Sequence, residues 1–239
     1  MIIAAIIQAR MGAQRLPGKV ILKLPPKSSS TVLDHIIRRL KRSQIVNQII
    51  VATSRKQSEQ PIINIACSYN LSVYRGSEID VLSRYYRAAK KFSADIIARI
   101  TADNPCLDTQ LLDSTLKSHL DSGADYTHTI NYPLGINIEI ISLAALAKAY
   151  LKARRDFERE HVTPFIYLHP RQFRISTLKA PKPYHDPKLR LTLDTPADYT
   201  LLSAIFNELY SQNHYFGLDD IINLLTRQPW LRNINAHQK

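Results

Sequence analysis

The sequence predicts an α/β fold, a mainly parallel sheet with helices packed on both faces. Three observations carry that expectation. Short apolar runs alternate with stretches whose apolar residues recur at helical spacing. The runs are continuous rather than alternating, as in strands covered on both sides. The chain has 239 residues, 45% hydrophobic and 22% charged, enough to bury a large core without disulfides or metal.

The elements follow in order. Residues 2–9 form a continuous apolar run and read as the first strand. Val32, Leu33, Ile36, Ile37 and Leu40 recur at helical spacing. Residues 49–53 are a second buried strand. Ile62, Ile63, Ile65 and Ala66 suit a helix ending near Asn70, and Val73 with Tyr74 a short strand. Val81, Leu82, Tyr85, Ala88, Ala89 and Phe92 make an amphipathic helix. Residues 95–100 are a strand, and Leu111, Leu112, Thr115, Leu116 and Leu120 a helix. The rhythm then changes. Residues 125–129 and 136–141 look like strands with no helix between them, 143–152 and 158–168 look helical, and 173–178 strand-like. Residues 189–193 read as a strand. A helix follows from Pro196 to about 210, with proline suited to its first turn. The chain thus reads as one domain over 1–239, with an inserted mixed region near 125–180 and a C-terminal tail over 217–239. That tail holds a short helix and then loses periodicity.

No apolar run approaches the roughly 18 residues of a membrane span. The apolar start has no basic residue before it and meets Gln8 and Arg10 at once, unlike a signal peptide. Cys67 and Cys106 are the two cysteines, with no CxxC and no cysteine–histidine cluster, so neither a disulfide framework nor a zinc site is expected. A reducing, cytoplasmic setting without membrane insertion fits. Lys plus Arg number 32 against 20 Asp plus Glu, a net charge of +12, which points to an anionic partner or a basic surface. Arg38, Arg39, Lys41 and Arg42, or Arg154 with Arg155, would be the phosphate contacts of a nucleic-acid binder. No helix-turn-helix, RRM or zinc-finger pattern accompanies them. They read as solvated helix faces, and no nucleic-acid partner is expected.

Ligands of open α/β sheets bind at the carboxyl ends of the strands. The loop after the first strand carries Arg10, Arg15 and Lys19, with Gly12 and Gly18 permitting tight turns. Arginine forks and a lysine point charge suit a polyphosphate, and a solvated basic loop is the plain alternative. Asp103 follows the fourth strand and Asp194 follows residues 189–193. Each alone reads as a cap or turn residue. Two acids at strand ends of one sheet, facing a basic loop, suit a hard cation held near phosphates.

These residues carry a family likeness. Ala9-Arg10-Met11-Gly12-Ala13-Gln14-Arg15-Leu16-Pro17-Gly18-Lys19 resembles the A-R-x-x-S-x-R-L-P-G-K opening of the acylneuraminate cytidylyltransferase family, in the branch of spore-coat polysaccharide nucleotidyltransferases. Gly12 or Ala13 stands where that pattern has serine. Val51-Ala52-Thr53-Ser54 resembles the family's second strand end. Arg75-Gly76-Ser77, running on through Asp80, Val81, Leu82, Arg84 and Tyr85, resembles R-G-S-x-x-D-V-L-x-R-Y. Residues 99–105 resemble R-I-T-G-D-C-P, with Ala102 and Asn104 as departures. Gly135 to Glu139 resembles G-x-D-V-E, with Asn137 for Asp. Residues 158–166 resemble E-R-E-H-V-T-P-Y-I, and 193–198 resemble V-D-T-P-E-D. Seven motifs in the same order span residues 2–210.

The resemblance implies a nucleotide-diphospho-sugar transferase fold of glycosyltransferase-A type. It implies CMP transfer from CTP to an acidic or modified sugar of a surface polysaccharide, with release of pyrophosphate. Arg10, Arg15 and Lys19 would hold phosphates, and Arg10, Lys19 and Asp103 would act in catalysis. Ala9, Gly12, Thr53, Arg75, Gly76 and Ser77 would line the nucleotide. Asp103 and Asp194 would hold Mg²⁺. Asn137, Glu139, Glu158, Glu160 and His161 would face the sugar. Asp80 and Arg84 read equally as a helix-start ion pair, and the loop at 184–186 as a surface loop or a lid. Relatives form dimers, which places a homodimer interface in residues 125–178. A glycosyltransferase or other nucleotide-sugar enzyme on the same fold and an inactive partner subunit are the alternatives to an active cytidylyltransferase.

Overall fold

The structure, a computed structural model, describes residues 1–238. Seven strands form one sheet: β1 (Ile3–Gln8), β2 (Gln48–Ser54), β3 (Ser72–Gly76), β4 (Ile96–Thr101), β5 (Tyr126–Ile130), β6 (Glu139–Ser142) and β7 (Ile175–Lys179). Their order is β3-β2-β1-β4-β6-β5-β7. β6 is antiparallel to both of its neighbours, and the other pairings are parallel. Residues 125–180, read from sequence as an insertion, therefore contribute three strands to the same sheet.

The strand period of two divides the apolar residues between two cores. Ile3, Ala5 and Ile7 of β1 face one layer and Ala4 and Ile6 the other. The first layer holds α1 (Val32–Leu40), α2 (Gln60–Ser68), α4 (Thr109–Ser122), α8 (Pro196–Leu209) and α9 (Leu218–Arg227). The second holds α3 (Val81–Lys91), α5 (Leu143–Lys152), and the junction of α6 (Asp156–His161) with α7 (Pro164–Tyr167). Cover on both faces is why β1 and β2 read as unbroken apolar runs. Asp80 caps α3 by accepting from Ser83 N–H, and Thr31 with Asp34 forms a capping box on α1.

Two expectations need correction. The single helix expected over 158–168 is two short ones, because Pro164 cannot continue a preceding turn and Val162 takes a left-handed φ of 73° between them. Residues 189–193 form no ladder strand. They make one isolated bridge, Leu134 to Arg190, and their leucines are buried without a continuous partner. That bridge needs Gly135. Its φ is +99°, and a Cβ there would lie 2.8 Å from the backbone of Leu191 and Thr192. The C-terminal tail is docked: Leu231 is buried, and Asn235 donates to Arg190 O and Asp198 Oδ1.

Candidate active site

The carboxyl ends of β1 and β4 open into a cleft of about 1060 Å³, where ligands of open α/β sheets are expected. One wall is the loop after β1. Its backbone closes on itself: Gly18 N–H and Ala13 N–H both donate to Met11 O, at 2.9 and 3.0 Å. A buried carboxylate fixes it from behind. Glu59 is 1% exposed and accepts from Met11 N–H at 2.9 Å, Thr53 Oγ1 at 3.1 Å and Ser54 Oγ at 3.0 Å. The neighbour of Arg10 is thus tied to the end of β2. A charged acceptor strengthens each of these bonds.

The floor of the cleft is acidic. Asp103 follows β4, and Asp194 precedes α8. A main-chain bond, Leu193 N–H to Asp103 O at 2.8 Å, sets the two segments side by side. Lys19 Nζ lies between their carboxylates, 2.6 Å from Asp103 Oδ2 and 2.8 Å from Asp194 Oδ1. Arg15 reaches Asp194 at 3.2 Å and Arg190 reaches it at 3.5 Å. Behind them sits Asp198, fully buried, which accepts from Asp194 N–H, Thr195 N–H, Arg190 and Asn235. Burial pushes its pKa up, but the Arg190 and Asn235 bonds outweigh that and hold it below the usual carboxylate range. Asp198 therefore stays charged and orients the Asp194 turn.

The opposite wall carries Glu78, Asp80, Asp156, Arg159 and Glu160. Arg159 pairs with Asp80, and Lys56 with Glu78. So Asp80 does not form the helix-start pair with Arg84. Arg84 is fully buried, donates to Ser77 O at 2.6 Å, and leaves Nε and Nη2 without a partner.

Of the residues expected from sequence, Arg10, Gly12, Arg15, Lys19, Asp103, Asp194 and Glu160 line this one cleft. The others stand behind or beside it. Ala9 is buried in the core. Thr53 is buried with its hydroxyl on Glu59. Arg75 donates to the carbonyls of Arg55 and Lys56 and so braces the loop after β2. Gly76 is buried where a Cβ would meet Tyr74 at 2.8 Å. Ser77 Oγ accepts from Asp80 N–H at the start of α3. Asn137 is exposed and accepts from Thr129. Glu139 pairs with Arg99 and accepts from Tyr126. Burial pushes that carboxyl up, and Arg99 and Tyr126 more than reverse it, so it remains ionised. Glu158 is buried and accepts from the N–H groups of Arg154 and Arg155, capping α6. His161 is exposed and packs on Phe157. The 184–186 loop is tied down: Tyr184 donates to Asp219, and Arg232 pairs with Asp186. Sequence reasoning missed Glu59, Asp156 and Arg159, and it missed Gln8, whose Oε1 is buried in the cleft wall without a donor. Strand-end position alone marked Gln8. Glu59 lies in a polar stretch with no periodic signal.

The donor set suits a hard divalent cation. Among the described residues no group of three or more His, Cys, Asp or Glu is arranged to hold a metal, so a cage made of protein alone is absent. Two carboxylates already share one cation, the Lys19 ammonium. Mg²⁺ takes one or two carboxylates and completes its shell with phosphate oxygens and water.

Comparison with known proteins agrees with this geometry. A family profile described as cytidylyltransferase matches residues 4–221. An uncharacterised protein of Methanocaldococcus jannaschii is 39% identical over 98% of this chain and 95% of its own. The spore coat polysaccharide biosynthesis protein SpsF of Bacillus subtilis is 36% identical over 94% of both chains. A solved cytidylyltransferase structure from Leptospira borgpetersenii superposes with a TM-score of 0.89 at 32% identity, covering 100% of this chain and 98% of that one. The fold is the expected nucleotide-diphospho-sugar transferase fold. The match is to cytidylyltransferases at large and does not single out an acylneuraminate-activating branch. No helix is long and apolar enough to cross a membrane among the described residues. With a family match over most of its length and its three cations and two acids gathered in one cleft, this chain belongs to the cytidylyltransferase family.

Proposed function

We propose that this protein transfers CMP from CTP to a hydroxyl of a surface-polysaccharide sugar. A new bond forms between the sugar oxygen and the α-phosphorus as the hydroxyl gives up its proton to solvent. The bond from the α-phosphorus to the bridging oxygen breaks, and pyrophosphate leaves with that electron pair. One observation carries the reading: Arg10, Arg15 and Lys19 converge with Asp103 and Asp194 in a single cleft at the strand ends. Such transfer rests on positioning and charge stabilisation. Arg10 and Arg15 grip the β- and γ-phosphates, and Gly12 lets the backbone approach them. Lys19, released from the two acids, meets the charge that develops on the leaving pyrophosphate. Asp103 and Asp194 would hold Mg²⁺, which neutralises phosphate charge and lowers the pKa of a nearby hydroxyl. Gly76 and Ser77 border the base and ribose, with Thr53 and Arg75 bracing them from behind. On the acceptor side Glu160 and Asp156 offer carboxylate oxygens to sugar hydroxyls.

The protein acts as a homodimer. Leu151, Phe157, Tyr167 and Leu168 of α5–α7 are exposed apolar side chains within the region expected at the interface. Light scattering that returns a monomer mass at micromolar concentration refutes this.

The test of activity is pyrophosphate release with Mg²⁺, each of the four nucleoside triphosphates, and a sugar panel that spans acidic, neutral and amino sugars. Release that needs CTP and one sugar, and is lost in Asp103→Ala, supports the reading. Release with another triphosphate, or release unchanged in Asp103→Ala, overturns it.

A further inference from the structure

Of the basic run Arg38, Arg39, Lys41 and Arg42 at the end of α1, read from sequence as a solvated helix face, Lys41 and Arg42 are exposed and Arg38 is half-buried, but Arg39 is not solvated. Arg39 is 3% exposed. Its Nη1 donates to Leu107 O and Phe216 O, its guanidinium stacks 4.6 Å over the Phe216 ring, and Nε and Nη2 are buried without a partner. Arg38 donates to Ser30 Oγ, Tyr69 Oη and Tyr210 Oη. Arg42 lies 4.2 Å over Tyr215 and Lys41 5.1 Å over Tyr69. None of these four cations forms a salt bridge among the described residues. The carboxylates near them are engaged: Asp34 by Thr31, Asp108 by the N–H groups of Leu111 and Leu218, and Asp220 by Gly217 N–H.

Among the described residues no carboxylate touches Arg39, and Asp108 and Asp220 favour its charge without contact, so an anionic ligand would supply the direct partner it lacks. Here a place for a ligand exists. A pocket of about 250 Å³ is lined by His35, Arg38, Arg39, Tyr210, His214 and Tyr215. It shares no residue with the cleft and lies at the C-terminal end of α1. Burial, with Arg39 and Arg38 adding to it, lowers His35 to about 4, so its ring adds no charge; its Nε2–H donates to Leu24 O, which leaves Nδ1 as an acceptor.

We propose that this pocket is a second anion site that binds the phosphate group of a small molecule. Arg38 supplies the guanidinium donor that fits phosphate oxygens, Arg39 adds its charge from the pocket wall, and His214, exposed at the rim, closes over the ligand. The volume suits phosphate or pyrophosphate, free or at the end of a small molecule, and is too small for a duplex backbone.

The test is calorimetric titration at constant ionic strength with inorganic phosphate, pyrophosphate, CMP and, as control, chloride. It is paired with a tungstate soak of crystals located by anomalous scattering. Two binding events are expected, one in the cleft and one here, with a tungstate peak against Arg38 and Arg39. Arg38→Gln with His214→Gln weakens the second event at least tenfold and leaves the cleft event unchanged. These positions are partly exposed, so the pair folds where Arg39→Met need not. Phosphate and pyrophosphate binding without CMP marks a free anion as the ligand. CMP binding here marks a nucleotide phosphate. A single event, a second event unmoved by the paired variant, or binding to DNA or anionic vesicles with none to the free anions overturns the proposal.

Discussion

Truncation of Glu59 probes the support of the loop after β1 most directly. Glu59→Ala removes the acceptor of three donors at once: Met11 N–H, Thr53 Oγ1 and Ser54 Oγ. The two hydroxyls can rotate toward other acceptors, at about 0.5–1 kcal/mol each for the bonds lost. The Met11 amide cannot turn, and leaving it unsatisfied costs about 1–3 kcal/mol. The expected loss of stability is about 3 kcal/mol. Glu59→Gln keeps one carbonyl oxygen for Met11 N–H and loses only the charge, so its expected cost is about 1 kcal/mol. Urea unfolding of both variants checks these values. CTP titration checks the loop itself: a freed Met11 lets Arg10 wander, and about tenfold weaker binding follows in Glu59→Ala, equal to about 1.4 kcal/mol. Glu59→Ala within 1 kcal/mol of the wild type, or Gln and Ala equally destabilised, would refute the idea that this carboxylate holds the loop.

Other outcomes follow from the same geometry. Lys19→Met removes the cation between Asp103 and Asp194, and pyrophosphate release should fall at least about 100-fold while the fold persists, as read by coupled assay and circular dichroism. Gly135→Ala places a Cβ 2.8 Å from the Leu191 backbone at a φ of +99°, and should lose about 2–4 kcal/mol in thermal or urea unfolding. His35 is held neutral by burial, lowered from 6.5 to about 4. Below pH 6.5 the unfolded chain binds a proton that the native state refuses. Stability is thus fully present above pH 6.5 and falls by about 1.4 kcal/mol per unit down to pH 4, roughly 3 kcal/mol in all. His35→Phe should flatten that slope between pH 7 and 4.

Much of the fold was legible because β1 and β2 are covered on both faces, and apolar runs as unbroken as theirs fit few positions besides a doubly covered strand. The helix break at Val162 was marked by Pro164, but the amphipathic pattern ran on across it. Residues 189–193 misled for a different reason. Their leucines face the core like a strand's, yet they find a single bridge partner, and pairing is a property of the whole sheet rather than of the segment. The cleft was legible from Arg10, Arg15, Lys19, Asp103 and Asp194, since charged residues beside buried strand ends have few structural uses. Thr53, Arg75 and Glu158 stand behind or beside the cleft, which the sequence does not reveal because polar groups that brace a loop carry the same letters as those that touch a ligand. Only their partners, Glu59, the carbonyls after β2 and the α6 amides, tell the two apart.

The bond from Leu193 N–H to Asp103 O works as a gauge block between two acids that reach Lys19 from 84 and 175 positions along the chain. Because both of its ends are main chain, no side-chain change at either residue can delete it, apart from proline at 193. The spacing of the carboxylates is insulated from sequence drift around them. Ala102 and Asn104 flank Asp103 with side chains that depart from the R-I-T-G-D-C-P pattern, and the gauge does not register them. The floor of the cleft can stay fixed while the side chains around it change.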